Sequence, residues 1–288
     1  YNTFMYIDTH CHLNFAAFDL DWQNVVNKTK AAEVEKMIVV GTEIKSSEKA
    51  IEMAKSNSNL LATVGFHPHH VRSLIDLAYA RVQICQITDQ LKKLGKNKKV
   101  VAIGECGLDY HIYQDSKYPG EAMKVDEKLK NLQKQMFGMQ IQLAKELKLP
   151  LIIHSRDSHE DVLDTLDHFC KPAGVGKNDG KMPKAVWHCI SGNKKILEKI
   201  LEKDFYVGVD ANITYSTEVQ ALAKIIPLNR LLLETDSPYL TPTPNRSKRN
   251  TPLSVIVIAE IVAKLKKVKP EKVAEKTTEN AKRLFNIQ

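Results

Sequence analysis

The chain has 288 residues, 43% of them hydrophobic and 26% charged, an ordinary composition with enough apolar residues for a large core in one big domain or two small ones. No run reaches the ~20 uninterrupted apolar residues of a membrane-spanning helix, and no basic segment followed by an apolar one opens the chain as a secretory signal would. A net charge of +8 favours polyanions as partners, although a solvated basic surface explains it equally well.

These bounds suit a cytoplasmic protein, with a nuclear location and a targeting segment trimmed ahead of Tyr1 left open. No membrane and no obligate protein partner is expected. Cys11, Cys85, Cys106, Cys170 and Cys189 are odd in number, scattered, and without a Cys-x-x-Cys pair, which argues against a disulfide framework or a structural zinc site. Cys11, Cys106 and Cys189 alternate with the residues singled out below and are expected to face away from them.

In chain order, short apolar or β-branched runs alternate with longer amphipathic stretches. MYIDTH (5–10) reads as a first strand ending in His10, with His12 two residues on. KMIVVGT (36–42) and LLATVGF (60–66) follow, the second running into GFHPHH with His67 and His69. VVAIGEC (100–106) carries Glu105 and leads to Tyr110 and a polar stretch, 111–124. A helix is expected over 127–148, where Leu129, Leu132, Met136, Met139, Leu143 and Leu147 share one face, and Pro150 closes it. PLIIHS (150–155) carries His154, Arg156 follows on the same face, and a second polar stretch fills 171–184. KAVWHC (184–189) carries His188, FYVGVD (205–210) comes next, and RLLLETD (230–236) ends in Asp236. Past the basic stretch NRSKRN (245–250), Thr251 and Pro252 predict a helix start with Thr251 as N-cap, and a last helix is expected through TTENAKRLF.

Eight strands alternating with helices, with no linker or composition break, predict a single-domain α/β fold, a (β/α)8 TIM-type barrel over 1–288. Active sites of such barrels gather at the C-terminal strand ends. Those ends carry His10, His12, Glu105, His154, His188 and Asp236, all able to bind a metal. His10 and His12 share a strand face, which brings their imidazoles together. Glu105 and Asp236 interrupt apolar runs with no adjacent Lys or Arg, and an unneutralised buried carboxylate costs several kcal/mol. A lone histidine is as readily a hydrogen-bonded core residue, but six ligand types at five strand ends exceed chance. Four imidazoles and two carboxylates are too many for one tetrahedral zinc and suit two divalent ions sharing a carboxylate, with Zn2+, Mn2+ and Mg2+ all compatible.

DTHCHL, GFHPHH, IGECGLDYH, PLIIHSRD, WHCISGN, ETDSPYLTP, RNTP and TTENAKRLF, in that order, resemble the motif series of the TatD-like metal-dependent deoxyribonucleases over essentially the whole chain. The resemblance implies a barrel hydrolase that cuts DNA, often from a 3′ end, with single-stranded or end-frayed DNA as substrate. It implies a first ion on His10, His12, Glu105 and Asp236 and a second on Glu105, His154 and His188, with Glu105 as the bridge. Asp236 and Glu105 are then the catalytic residues, Asp236 taking the proton of the attacking water. His67 and His69 are expected to contact substrate, Arg156 to clamp a phosphate, Tyr110 to stack on a base, and NRSKRN to track the backbone. Rival readings are hydrolysis of an ester such as an aminoacyl-tRNA, a small-molecule amidohydrolase or phosphotriesterase, and a non-catalytic nucleic-acid-binding barrel. The second typically bridges its metals with a carboxylated lysine where this chain has Glu105, and the third is at odds with six filled ligand positions.

Overall fold

A computed structural model describes residues 5–74, 79–113, 124–171 and 180–287. The expected apolar runs form the strands β1 (Tyr6–Cys11), β2 (Val34–Val39), β3 (Leu60–Val64), β4 (Val100–Asp109), β5 (Leu151–Arg156), β6 (Ala185–Trp187), β7 (Tyr206–Val209) and β8 (Leu231–Leu233). They run parallel in sequence order, β1 to β8. The circle closes just past β8, where Cys11 pairs with Ser237, His12 N–H donates to Ser237 O (2.7 Å) and Asp236 N–H to His10 O (2.9 Å). The helices are α1 (Trp22–Ala31), α2 (Ile44–Ser56), α3 (Pro68–Val71), α4 (Ala80–Gly95), α5 (Glu127–Leu147), α6 (His159–Cys170), α7 (Lys194–Glu202), α8 (Thr217–Ile225), α9 (Val255–Lys266) and α10 (Pro270–Phe285). The fold is thus the expected (β/α)8 barrel. Among the described residues no helix is long and apolar enough to cross a membrane.

Strand alternation sorts the buried residues into two layers. Ile7, Ile38, Val101, Ile152, Val186, Tyr206 and Leu232 fill the barrel interior, closed by Ala281, Leu284 and Phe285 of α10. Their strand neighbours Met37, Val39, Leu151, Ile153, Trp187, Val207, Leu231 and Leu233 face outward into the larger core beneath the helices. Two residues beyond Ile152, Val186 and Leu232, the same inward face presents His154, His188 and Glu234. The apolar layer is therefore the floor on which the polar mouth stands.

Two irregularities aim the remaining mouth residues. The β1–β2 register shifts between Asp8 and Cys11, so Ile7 points inward and, three residues on, His10 does too. The β4–β5 register shifts between Ile103 and Cys106, both of which pack outward, and the extra residue turns Glu105 in. Beyond that bulge β4 continues to Asp109, three residues past the expected end, because Gly107 lets it lie against β5: a Cβ there would sit 2.0 Å from His154 O.

Other boundaries also differ. β6 and β8 stop before His188 and Asp236, which stand in the turns that follow. Leu129, Leu132, Met136 and Leu143 of α5 are buried as the periodicity predicts, and Met139 and Leu147 pack at the edge of the core. Thr251 makes no side-chain cap; a short 3-10 turn, Pro252–Ser254, precedes α9, and Asn250 Oδ1 accepts from Thr251 N–H (2.8 Å) and the Ser254 hydroxyl (2.6 Å) instead. The final helix begins at Pro270, ahead of TTENAKRLF, because Pro at its first position supplies the start signal. The central parts of the two polar stretches, 114–123 and 172–179, lie outside the described residues.

Candidate metal centre

The first donor set joins β1 to the turn after β8. His10 and His12 bring their Nε2 atoms to 3.2 Å of one another. His12 Nδ1 lies 3.3 Å from Val40 O and donates to it in the neutral ring, which leaves the Nε2 lone pair directed into the mouth. Asp236 Oδ1 stands 3.2 Å from His12 Nε2 and 3.7 Å from His10 Nε2. Burial and the neighbouring His188 hold His10 below the usual imidazole range, so it favours the neutral form that ligates. Asp236 is drawn below the carboxylate range by His12, His188 and His10 against the opposing effect of burial.

Glu105 faces two ways. Its Oε2 lies 3.5 Å from His10 Nε2 and 3.9 Å from His12 Nε2. Its Oε1 lies 2.9 Å from His154 Nδ1, 3.6 Å from His67 Nε2 and 3.8 Å from His188 Nε2. Burial alone would raise this carboxyl, but the surrounding histidines hold it well below the usual range, so it stays ionised. Two donors bound to one tetrahedral ion at about 2.1 Å are about 3.4 Å apart. The separations of 3.2 to 3.7 Å among His10, His12 and Asp236 match that spacing, and Glu105 Oε2 lies 3.5 and 3.9 Å from the two imidazoles.

The second set leans on buried carboxylates. His154 is held between Glu105 at Nδ1 and Asp109 Oδ2 at Nε2, each at 2.9 Å. Against burial, these contacts raise His154 to about 9. His188 stacks on His10 with ring centroids 3.7 Å apart, and its Nδ1 lies 2.9 Å from Glu234 Oε1. Burial opposes charge there too, but Glu234 first and Glu105 next raise His188 to about 10. Asp109 thus holds the far nitrogen of His154, and Glu234 stands as a charge partner beside the far nitrogen of His188, the kind of support a metal-binding histidine uses. Three groups bring their donor atoms within 4.8 Å of one another: His10, His12 and Asp236; His10, Glu105 and His188; His67, Glu105 and His154. His188 thus clusters with His10 and Glu105, whereas the expected partner of His154 and Glu105 was His188.

His67 is the N-cap of α3, and its Nδ1 accepts the His69 backbone N–H (3.2 Å). Burial keeps the ring neutral, so the proton sits on Nε2, where it can be donated but leaves no lone pair for a cation. His67 accordingly reads as a hydrogen-bond donor beside Glu105. His69 Nε2 lies 2.9 Å from Asp109 Oδ2, behind His154. Arg156, exposed, donates to Tyr113 OH (3.1 Å) and covers that ring at 4.8 Å. Tyr110 lies away from the expected stacking position: its hydroxyl donates to Asp161 (2.7 Å), its ring carries Lys130 at 5.1 Å, and it packs on the helix-side core. In NRSKRN, Arg249 is paired with Asp21 and Arg246 lies over Tyr215. The thiols of Cys11 and Cys106 turn outward to Ile38 O and Ile152 O as expected. Cys189 does not: it follows the end of β6 with φ 50°, alternation has stopped, and its sulfur meets the Asn212 amide at 3.5 Å.

The profile described as TatD related DNase matches residues 7–286. The chain belongs to this TatD-related family. It is 38% identical to the uncharacterized metal-dependent hydrolase YabD of Bacillus subtilis over 287 residues, covering 98% of this chain and 100% of that one. It is 33% identical over 285 residues to the protein named 3′-5′ ssDNA/RNA exonuclease TatD of Cronobacter sakazakii, covering 96% and 97%. Among solved structures, the TatD homologue YJJV of Escherichia coli K12 superposes with a TM-score of 0.81 at 26% identity, covering 98% of each chain.

Within this TatD-related site, sequence reasoning had no role for Asp109, Glu234 and Tyr113. Glu234 could have been found, since it shares an inward face with Asp236 two residues on. Its room comes from Gly208 on β7, where a Cβ would meet Glu234 Oε2 at 2.3 Å. Asp109 required the true length of β4. Tyr113, whose hydroxyl donates to Asp109 Oδ2 at 2.7 Å, carried no usable signal.

Proposed function

We propose that this metal-dependent hydrolase cleaves DNA phosphodiester bonds, acting from the 3′ end on single-stranded or end-frayed strands, with two divalent ions drawn from Mg2+, Mn2+ and Zn2+. The observation that carries this reading is the division of Glu105, with Oε2 toward His10 and His12 and Oε1 toward His154, His67 and His188. A carboxylate so placed would serve both donor sets of a two-metal site, which would supply the chemistry suited to phosphodiester hydrolysis. A relative at 33% identity bears the name 3′-5′ ssDNA/RNA exonuclease, which supports the same substrate class.

His10, His12, Glu105 and Asp236 would hold one ion, and Glu105, His154 and His188 the other. When bound, the ions supply the positive charge and Lewis acidity that phosphate chemistry needs. The chain does the rest. Asp236, ionised at neutral pH and with Oδ1 3.2 Å from His12 Nε2, takes the proton of the attacking water. His67 donates its Nε2 proton to a phosphate oxygen, and Arg156 meets the strand further out.

The test is incubation of metal-loaded protein with single- and double-stranded DNA, labelled at either end, with and without chelator. Chelator-sensitive cleavage that shortens labelled strands from the 3′ end is expected. No cleavage with any of the three ions refutes the nuclease reading.

A further inference from the structure

The mouth of the barrel has two unlike walls. Over the ends of β3 to β5 it is polar, with His69, Asp109, Tyr113 and Arg156. Over the ends of β1 and β8 it is aromatic. Phe15 lies on His12 with ring centroids 4.4 Å apart and planes within 17°. Tyr239 stands edge-on to both, 6.3 Å from Phe15 and 6.4 Å from His12.

Tyr239 is 48% exposed, yet its backbone is held firmly. Its N–H donates to Asp236 O (2.9 Å), and the Asn250 amide donates to both Tyr239 O (2.8 Å) and Thr235 O (3.0 Å). The same loop carries Arg246, whose guanidinium lies 3.7 Å over the Tyr215 ring. Thr243 N–H bonds the Thr214 hydroxyl (3.1 Å), tying this loop to the one after β7. Arg249 is committed to Asp21, but Arg246 is presented on an aromatic face at the protein surface.

A rigid aromatic ring, half in water and three residues from Asp236, suits the flat face of an apolar group. A surface guanidinium on the same loop suits an anion. A nucleobase attached to its phosphate offers both chemistries together. We propose that Tyr239 and Phe15, with Arg246, form a subsite that stacks one unpaired base beside the scissile phosphate and thereby favours single strands over duplex. The inference rests on the nucleic-acid reading above. Inside a duplex both faces of a base are covered by its neighbours, so this stack is available to an unpaired or frayed base.

The experiment compares wild type, Tyr239→Ala and Tyr239→Phe. Binding of a fluorescent, cleavage-resistant phosphorothioate oligothymidine is read by anisotropy on the metal-loaded proteins, beside an abasic strand of equal length. Tyr239→Ala should weaken the base-bearing strand about tenfold while changing the abasic strand far less, and Tyr239→Phe should match wild type, because the ring face does the stacking. Equal loss on both strands, no loss, or a Tyr239→Phe defect as large as that of Tyr239→Ala overturns the subsite. A second arm measures kcat/KM on the single-stranded oligonucleotide and on bis(p-nitrophenyl) phosphate, with Tyr239→Ala expected to lose about tenfold more on the former. Wild type that binds the oligonucleotide through Tyr239 but cleaves neither diester would keep the subsite and refute the nuclease reading.

Discussion

Asp109→Asn removes a charge that touches no proposed ion. Asp109 is almost fully buried, and its Oδ2 receives His154 Nε2 at 2.9 Å, His69 Nε2 at 2.9 Å and Tyr113 OH at 2.7 Å. In the metal-free protein His154 rises from its ordinary 6.5 to about 9. At about 1.4 kcal/mol per tenfold change in proton affinity, that is on the order of 3 to 4 kcal/mol of stabilisation of the charged ring. Two carboxylates at equal distance outweigh burial to reach it, so Asp109 contributes on the order of 2 kcal/mol. The folded-state pKa lies above the unfolded one. The stabilisation is therefore complete below the unfolded value and is lost as pH rises through about 9. Urea unfolding of metal-free wild type and Asp109→Asn should differ by on the order of 2 kcal/mol more at about pH 6 than at about pH 10. Calorimetric titration should also show one ion bound about 10- to 100-fold more weakly, because His154 loses the partner that orients it. A stability difference independent of pH, together with unchanged affinity for both ions, would refute this account.

Two further outcomes test the centre itself. Glu105→Gln keeps the side-chain shape but halves the carboxylate donors, and its metal content should fall for both ions together; retention of one ion at wild-type affinity would reject a shared ligand. At about pH 7.5, where His154 and His188, raised to about 9 and about 10, carry a second proton, loading metal should release about two protons per protein. Calorimetry in buffers of different ionisation enthalpy measures this, and metal uptake without proton release would contradict the arrangement of both rings.

The candidate site was legible in the sequence to the extent that it obeyed strand periodicity. His154 and His188 each lie two residues beyond an inward apolar residue, Ile152 and Val186, so their direction follows from the alternation of side chains. His10 and Glu105 do not follow from it, because register shifts in β1 and β4 reset the phase just before them. Their strand-end positions drew notice, yet the bulges that aim them leave no mark that periodicity can read. Tyr110 shows the opposite case. A motif position suggested base stacking, whereas contacts with Asp161 and Lys130, remote in sequence, turned the ring toward the helix layer.

By itself, then, the sequence determined the alternation of eight strands with helices, the barrel that closes them and six ligand-type side chains at one end. Each depends on local period and residue type. Tertiary structure decided how those side chains are shared and supported: that Glu105 faces both donor sets, that Asp109 and Glu234 stand behind His154 and His188, and that Tyr239 stands edge-on to His12. The reason is that such contacts join residues tens to hundreds of positions apart. Their angstrom-level spacing is set by strand register, by bulges and by glycines that admit close approach, none of which local pattern encodes.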